Sequence, residues 1–157
     1  MNRSINPKMN ELEEIFSTPA IIDSNTLAQW IKLGPFDLVK AIKNNLFEVD
    51  SSLNIDYELE GDSWFQSTAD GQINAQKELN GLGRRQYKDN HLEEGIFQNN
   101  RMNKFGRIIY SSGAYYIGQM EKGKYHGLGK YVNKDGSSKE GRWEKGILVK
   151  KQRVDID

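Results

Sequence analysis

The rhythm of apolar and polar positions changes along this chain. Between residues 24 and 47 the apolar residues return at helical spacing. Thr26, with Gln29 three residues on, makes a capping-box pattern. The helix it opens would run through Leu27, Trp30 and Ile31 and stop at Gly34-Pro35. Pro35 fits the first turn of a second helix, where its missing N–H costs nothing. Leu38, Val39, Ile42 and Leu46 give that helix one apolar stripe. From Asn80 the pattern becomes extended and is punctuated by glycine. Residues 115–121 read as one strand, Lys122-Gly123-Lys124 as a turn, residues 125–133 as the return strand and 137–144 as the next strand. Asn133-Lys134-Asp135-Gly136 between them is a strong turn signal.

A fixed step runs through this second half. Gly95, Gly118 and Gly141 are 23 residues apart. Gly83, Gly106 and Gly129 keep the same step, as do Asn90, Gly113 and Gly136, and the apolar series Phe97, Met120 and Trp143. Four registers with one period are an internal repeat, and a repeat sets the architecture before any residue is read for chemistry. Each unit is a β-hairpin, and successive hairpins extend one antiparallel sheet. A two-stranded unit is marginal alone, so the units come in series. The chain therefore divides into a flexible arm at residues 1–22, with room for a short helical turn at 10–16, and a helical segment at 23–50. A linker with a degenerate repeat follows at 51–79, where Leu59–Phe65 looks like a degraded first strand, then a repeat sheet at 80–151 and a tail at 152–157. The helical segment is either a cap over the open end of the sheet or a docking element for a partner.

Tyr116-x-Gly118-x-Met120-x-x-Gly123-x-x-x-Gly127-x-Gly129 resembles the MORN repeat, with Met120 in place of the usual aromatic. The unit beginning at Gly95 matches at Gly95, Phe97 and Gly106, and departs at Glu93, where the family has tyrosine, and at Asn100 and Lys104, where it has glycine. The last unit matches at Gly141, Trp143 and Gly146. The resemblance implies a mainly β fold, an elongated single-layer antiparallel sheet of stacked hairpins with a short helical segment before it. It also implies a structural, non-enzymatic scaffold that joins protein subunits into a larger complex. The settings known for such proteins favour a ciliary axoneme, for example a radial spoke, or the cytoskeleton, and an intracellular location.

Composition narrows the chemistry. The chain has no cysteine, which excludes disulfides and thiolate metal sites. No apolar run reaches the length of a membrane span. Of the two histidines, His126 sits in a Gly-Lys-Tyr-His-Gly turn and reads as packing, and His91 follows Asn90 in a turn and reads as solvated. Gly127-Leu128-Gly129 lies in a strand and lacks the third glycine of a dinucleotide fingerprint. Glu93 and Glu94 are neighbours in a strand, so they face opposite sides and cannot act as a carboxylate pair. No catalytic residue, cofactor or metal site is expected, and no nucleic-acid partner. The aromatics Phe97, Tyr110, Tyr115, Tyr116, Tyr125, Tyr131 and Trp143 exceed what one face of a thin sheet must bury, so some are expected to contact a partner protein. The structural glycines are Gly83, Gly95, Gly106, Gly118, Gly123, Gly127, Gly129, Gly141 and Gly146.

Charge adds an alternative. The net charge is zero, but it is −7 over residues 1–80, +2 over 81–121 and +5 over 122–157. Lys122, Lys124, Lys130 and Lys134 belong to the basic end and are candidate contacts for an anionic phospholipid surface. The bland reading is that lysine guards exposed strands against edge aggregation. A homodimer joined through the sheet is a further expectation.

Overall fold

The alternation that begins near residue 54 builds nine strands joined in chain order into one open antiparallel sheet. A computed structural model describes residues 7–19, 23–45, 47–61 and 67–156. Leu46 of the expected apolar stripe, and Trp64 and Phe65 of the expected degraded strand, lie outside the described residues. The strands are β1 (Asn54–Glu60), β2 (Ser67–Ile73), β3 (Leu79–Tyr87), β4 (Leu92–Gln98), β5 (Arg101–Ile109), β6 (Tyr115–Glu121), β7 (Lys124–Val132), β8 (Ser138–Glu144) and β9 (Ile147–Lys151). Three helices precede them: α1 (Pro7–Ser17), α2 (Ser24–Leu33) and α3 (Leu38–Asn44).

The 23-residue period is the distance from one hairpin to the next. Asn99-Asn100, Lys122-Gly123 and Lys145-Gly146 each close a hairpin with both residues at positive φ, from +48° to +88°. These are the mirror-image turns that match the right-handed twist of the strands. Each tip donates back to the hairpin before it. Asn100 N–H reaches Leu79 O at 3.0 Å, Gly123 N–H reaches Met102 O at 2.8 Å and Gly146 N–H reaches Tyr125 O at 2.9 Å. Asn100 replaces a glycine here because Asn tolerates the left-handed region, and its Oδ1 also accepts from Leu79 N–H and Arg85 Nη2.

The region read as linker and degraded repeat, residues 51–79, holds two complete strands, β1 and β2, at one edge of the same sheet. Its repeat signal fades because β1 carries a bulge between Asp56 and Leu59, with Glu58 at φ +59°. A bulge shifts the side-chain alternation by one residue, which is the signal that pattern reading uses.

The helices do not close the open end of the sheet. They lie on one of its faces. Leu12, Ile15 and Phe16 of α1 pack with Phe36, Leu38 and Ala41 against Leu82, Ile96 and Phe105 of β3, β4 and β5. Trp30 of α2 packs on Leu92, Ile109 and Tyr115. α1 therefore occupies much of the segment read as an arm. Eleven residues are too few for a stable isolated helix. Three buried apolar side chains at about 1.5–3 kcal/mol each hold it to the sheet. The caps also differ from the sequence reading. Asp23 Oδ1 caps α2 by accepting from Thr26 N–H, and Asp37 caps α3. The Thr26 hydroxyl instead donates to Asn90 O at 2.7 Å, which ties α2 to the β3–β4 loop.

Candidate functional site

The face away from the helices is built on a row of glycines. Register pairs Gly71 with Gly83, Gly83 with Gly95, Gly95 with Gly106, Gly106 with Gly118, Gly118 with Gly129 and Gly129 with Gly141. The row crosses seven strands, β2 to β8. A Cβ on Gly71, Gly95 or Gly118 would stand 2.4–2.6 Å from the Cα of the glycine opposite. The spacing leaves room for nothing but hydrogen. Side chains lie flat in the trough this leaves. Leu79 lies by Gly83, Met102 by Gly106 and the ring of Tyr116 over Gly129. Tyr116 is fully buried, and its hydroxyl donates to Gln119 O at 2.8 Å. Trp143 Nε1 donates to Gly129 O at 2.9 Å.

Aromatic rings continue this packing outward. Tyr116 stacks on Tyr125 at 3.8 Å, and Trp143 meets both edge-on at 5.8 and 5.4 Å. Tyr131 lies 6.4 Å from Tyr125 and 6.3 Å from Tyr110. The Tyr110 and Tyr125 hydroxyls share a hydrogen bond. His91 lies 6.0 Å from Tyr110 and stacks on Tyr87 at 4.0 Å. Burial pushes the Tyr110 hydroxyl up to about 12 and raises those of Tyr87, Tyr116 and Tyr125 as well. The result is a strip from Tyr87 to Trp143, buried at its base and half-buried at Tyr87, His91, Tyr110, Tyr125 and Tyr131.

Residues 116–138 match the family model of the MORN repeat. The chain carries a MORN repeat. A comparison with curated proteins found no match. A MORN repeat marks a protein-interaction or membrane-binding repeat module. No described helix is long and apolar enough to cross a membrane.

The MORN face brings most of the expected aromatics together. Phe97, Tyr116 and Trp143 are buried in one cluster, with Tyr110, Tyr125 and Tyr131 packed against it. Tyr115 is the exception, because it points to the helix side and packs with Trp30. Of the glycines, Gly83, Gly95, Gly106, Gly118, Gly129 and Gly141 form the row, Gly123 and Gly146 close hairpins, and Gly127 lies under the Gln119 side chain. His91 is held by the Tyr87 ring rather than standing in solvent. His126 Nε2 lies 3.0 Å from Glu121 Oε2. The four candidate lysines are not brought together. Lys122 and Lys124 flank one hairpin tip, and Lys134 is in a β7–β8 loop at the opposite long edge. Lys130 lies in mid-strand, paired with Ile117 and Glu140.

Two features of this MORN sheet are not read from the sequence. One is a buried charge network on the helix side. Glu94, fully buried, accepts from Trp30 Nε1 at 3.1 Å and from Arg107 Nε and Nη2 at 3.1 and 2.8 Å. Arg84 Nη1 is 4.0 Å away. The available signal was that Arg84, Arg107 and Lys130 keep the 23-residue step. The other is a repair of the bulges beside the glycine row. There the pairing shifts register at Gly71/Ile73 and Gly118/Met120. Gln72 Oε1 accepts from Leu82 N–H at 3.0 Å, and Gln119 Oε1 accepts from Leu128 N–H at 2.7 Å. Each amide supplies an acceptor that the bulge removes. Gln119→Leu is expected to cost about 1 kcal/mol, the low end of the penalty for an unsatisfied donor, because the Leu128 N–H is only half-buried. Gln119→Glu keeps the acceptor and should cost less than Gln119→Leu in urea unfolding. Equal costs would show that the bond is not what the side chain supplies.

Proposed function

We propose that this MORN-repeat protein is a non-enzymatic subunit that holds other proteins through the open aromatic face of its sheet, within a ciliary axoneme or a cytoskeletal assembly. One observation carries the reading. The helices cover one face, and the other presents a continuous strip of half-buried tyrosines with none of the described helices packed above it. Tyrosine and tryptophan are favoured anchors in protein interfaces because they bury large area at small cost in side-chain freedom. The setting follows from the family resemblance.

The test is capture of partners by the tagged full-length protein from its own cells, with quantitative mass spectrometry. A fixed-stoichiometry set of assembly proteins is expected. Tyr131→Ala, which removes a half-buried ring, should lower their recovery at least about tenfold, the size of a modest hot spot. Full recovery with Tyr131→Ala at unchanged fold would sink this reading.

One observation favours a second reading, an anionic-membrane module. Lys77, Arg101, Lys122, Lys124 and Lys145 all fall at or beside turns on one long edge of the sheet. Each basic residue near an acidic leaflet contributes about 1 kcal/mol. Recovery with membranes alone, lost at raised salt, would select this reading.

A further inference from the structure

We infer that Glu93 and the rings around it form a site for a guanidinium group, filled by an arginine side chain of the partner. The proposal rests on the aromatic face being the partner surface and names what that surface grips. It starts from a departure in the repeat. Position 93 corresponds to Tyr116 one period later. Tyr116 uses its ring to cover Gly129. The corresponding glycine of the earlier hairpin, Gly106, is covered by Met102, whose Cε would stand 1.8 Å from a Cβ placed there. The packing duty of residue 93 is therefore met by another side chain, and a carboxylate stands where the repeat has a ring.

That carboxylate feels Arg85 and His91 only at a distance. Its Oε1 accepts from the Tyr87 hydroxyl at 2.9 Å, and it makes no ion pair among the described residues. Arg85 stands opposite it in register, but spends its guanidinium on Ser67 Oγ at 2.6 Å and Asn100 Oδ1 at 2.9 Å. His91 is drawn to Asp89, 2.5 Å away. Burial holds the Glu93 carboxyl above the ordinary carboxylate range, as expected for a charge without a full partner. Glu93 is only half-buried, so a ligand can reach it. The Tyr87 ring that reaches it is stacked on His91, His91 lies beside Tyr110, and the charge of Glu93 also acts on Tyr110 and Tyr125.

Aromatic faces with a desolvated carboxylate favour a cation. A guanidinium fits best because its plane can stack on a ring while its edge donates to the carboxylate. A lysine ammonium would meet the charge without the stacking.

The experiment is a nuclear magnetic resonance titration of the full chain with N-acetyl-arginine methylamide, following the ring signals of His91 and the tyrosines. The uncharged citrulline analogue is the control. Saturable binding with a roughly millimolar Kd is expected, in line with the efficiency of a small ligand, and no binding of citrulline. Glu93→Gln keeps the acceptor for Tyr87 and should weaken binding at least about tenfold. Tyr110→Leu removes a ring face without touching the charge and should weaken it at least about threefold. Absence of saturable shifts, equal binding of citrulline, or unchanged affinity in Glu93→Gln would each overturn the site. Partner capture that survives Tyr131→Ala while arginine still binds would sink the interaction reading and spare the chemistry of the site. Capture lost in Tyr131→Ala with no arginine binding would sink only this inference.

Discussion

Gly118→Ala is expected to abolish cooperative folding. An added Cβ would stand 2.4 Å from Gly129 Cα, 2.6 Å from Leu128 O and 2.8 Å from the Tyr116 hydroxyl. The first two are backbone atoms of the adjacent strand. They can move away only by parting β6 from β7, whose Gly118–Gly129 pairing lies in the middle of the glycine row. Overpacking typically costs about 1–3 kcal/mol, and more where backbone rather than a side chain must give, enough to unfold a domain whose total stability is about 5 kcal/mol, the low end of the usual range. Gly136→Ala is the matched control. It has φ +93° and nothing within 4 Å of a Cβ, so it carries only the left-handed penalty of about 1–2 kcal/mol. Urea unfolding followed by tryptophan fluorescence should show a near-native curve for Gly136→Ala and no folded baseline for Gly118→Ala. Similar midpoints would mean that the strands do not approach as closely as the register requires.

The second large effect lies on the other face. Glu94→Ala removes the carboxylate that Trp30 Nε1 and Arg107 share, and leaves Arg107 and Arg84, only 5% and 4% exposed, without it. Breaking a buried pair by removing one partner costs about 3–5 kcal/mol, because the remaining charge stays desolvated. Replacing both partners by apolar residues is often neutral. The double variant Glu94→Leu with Arg107→Met should therefore recover the part of the loss due to Arg107, while Arg84 and Trp30 stay without the carboxylate, and a double-mutant cycle would show strong coupling. Hydrogen exchange adds a local readout. Glu94→Ala should raise exchange in α2, since Trp30 loses its acceptor, while the β7–β9 end stays protected. A cost below about 1 kcal/mol would contradict the burial of this network.

The two effects divide the sheet by face, and so does its legibility in the sequence. The strands of the near-ideal repeat were readable almost to the residue: 115–121 and 125–133 were expected, and β6 and β7 are Tyr115–Glu121 and Lys124–Val132. There every local signal agrees, from the alternation to the Lys122-Gly123 turn. Glu93 and Glu94 were read as facing opposite sides, and they do, one toward Tyr87 and the other toward Trp30. Reading failed where one local rule broke. The bulge in β1 hid two strands. Asp23 and Thr26 both suit the cap of α2, and only the contact of Thr26 with Asn90 decides between them.

By itself the sequence determined the hairpin, its 23-residue step and the antiparallel sheet, because turn chemistry and alternation are short-range and repeat from unit to unit. It also marked the glycines that let the strands close on one another. Only the tertiary structure decided which face stayed open. That choice depends on contacts far apart in the chain: α1 and α3 on Leu82, Ile96 and Phe105, and Trp30 on Glu94, 64 residues away. It placed the lysines apart, turned Tyr115 away from the other tyrosines, and left Glu93 beside the rings with no ion pair among the described residues. None of this has a period or a local motif, since side chains from distant segments meet only once the sheet and its helices have packed.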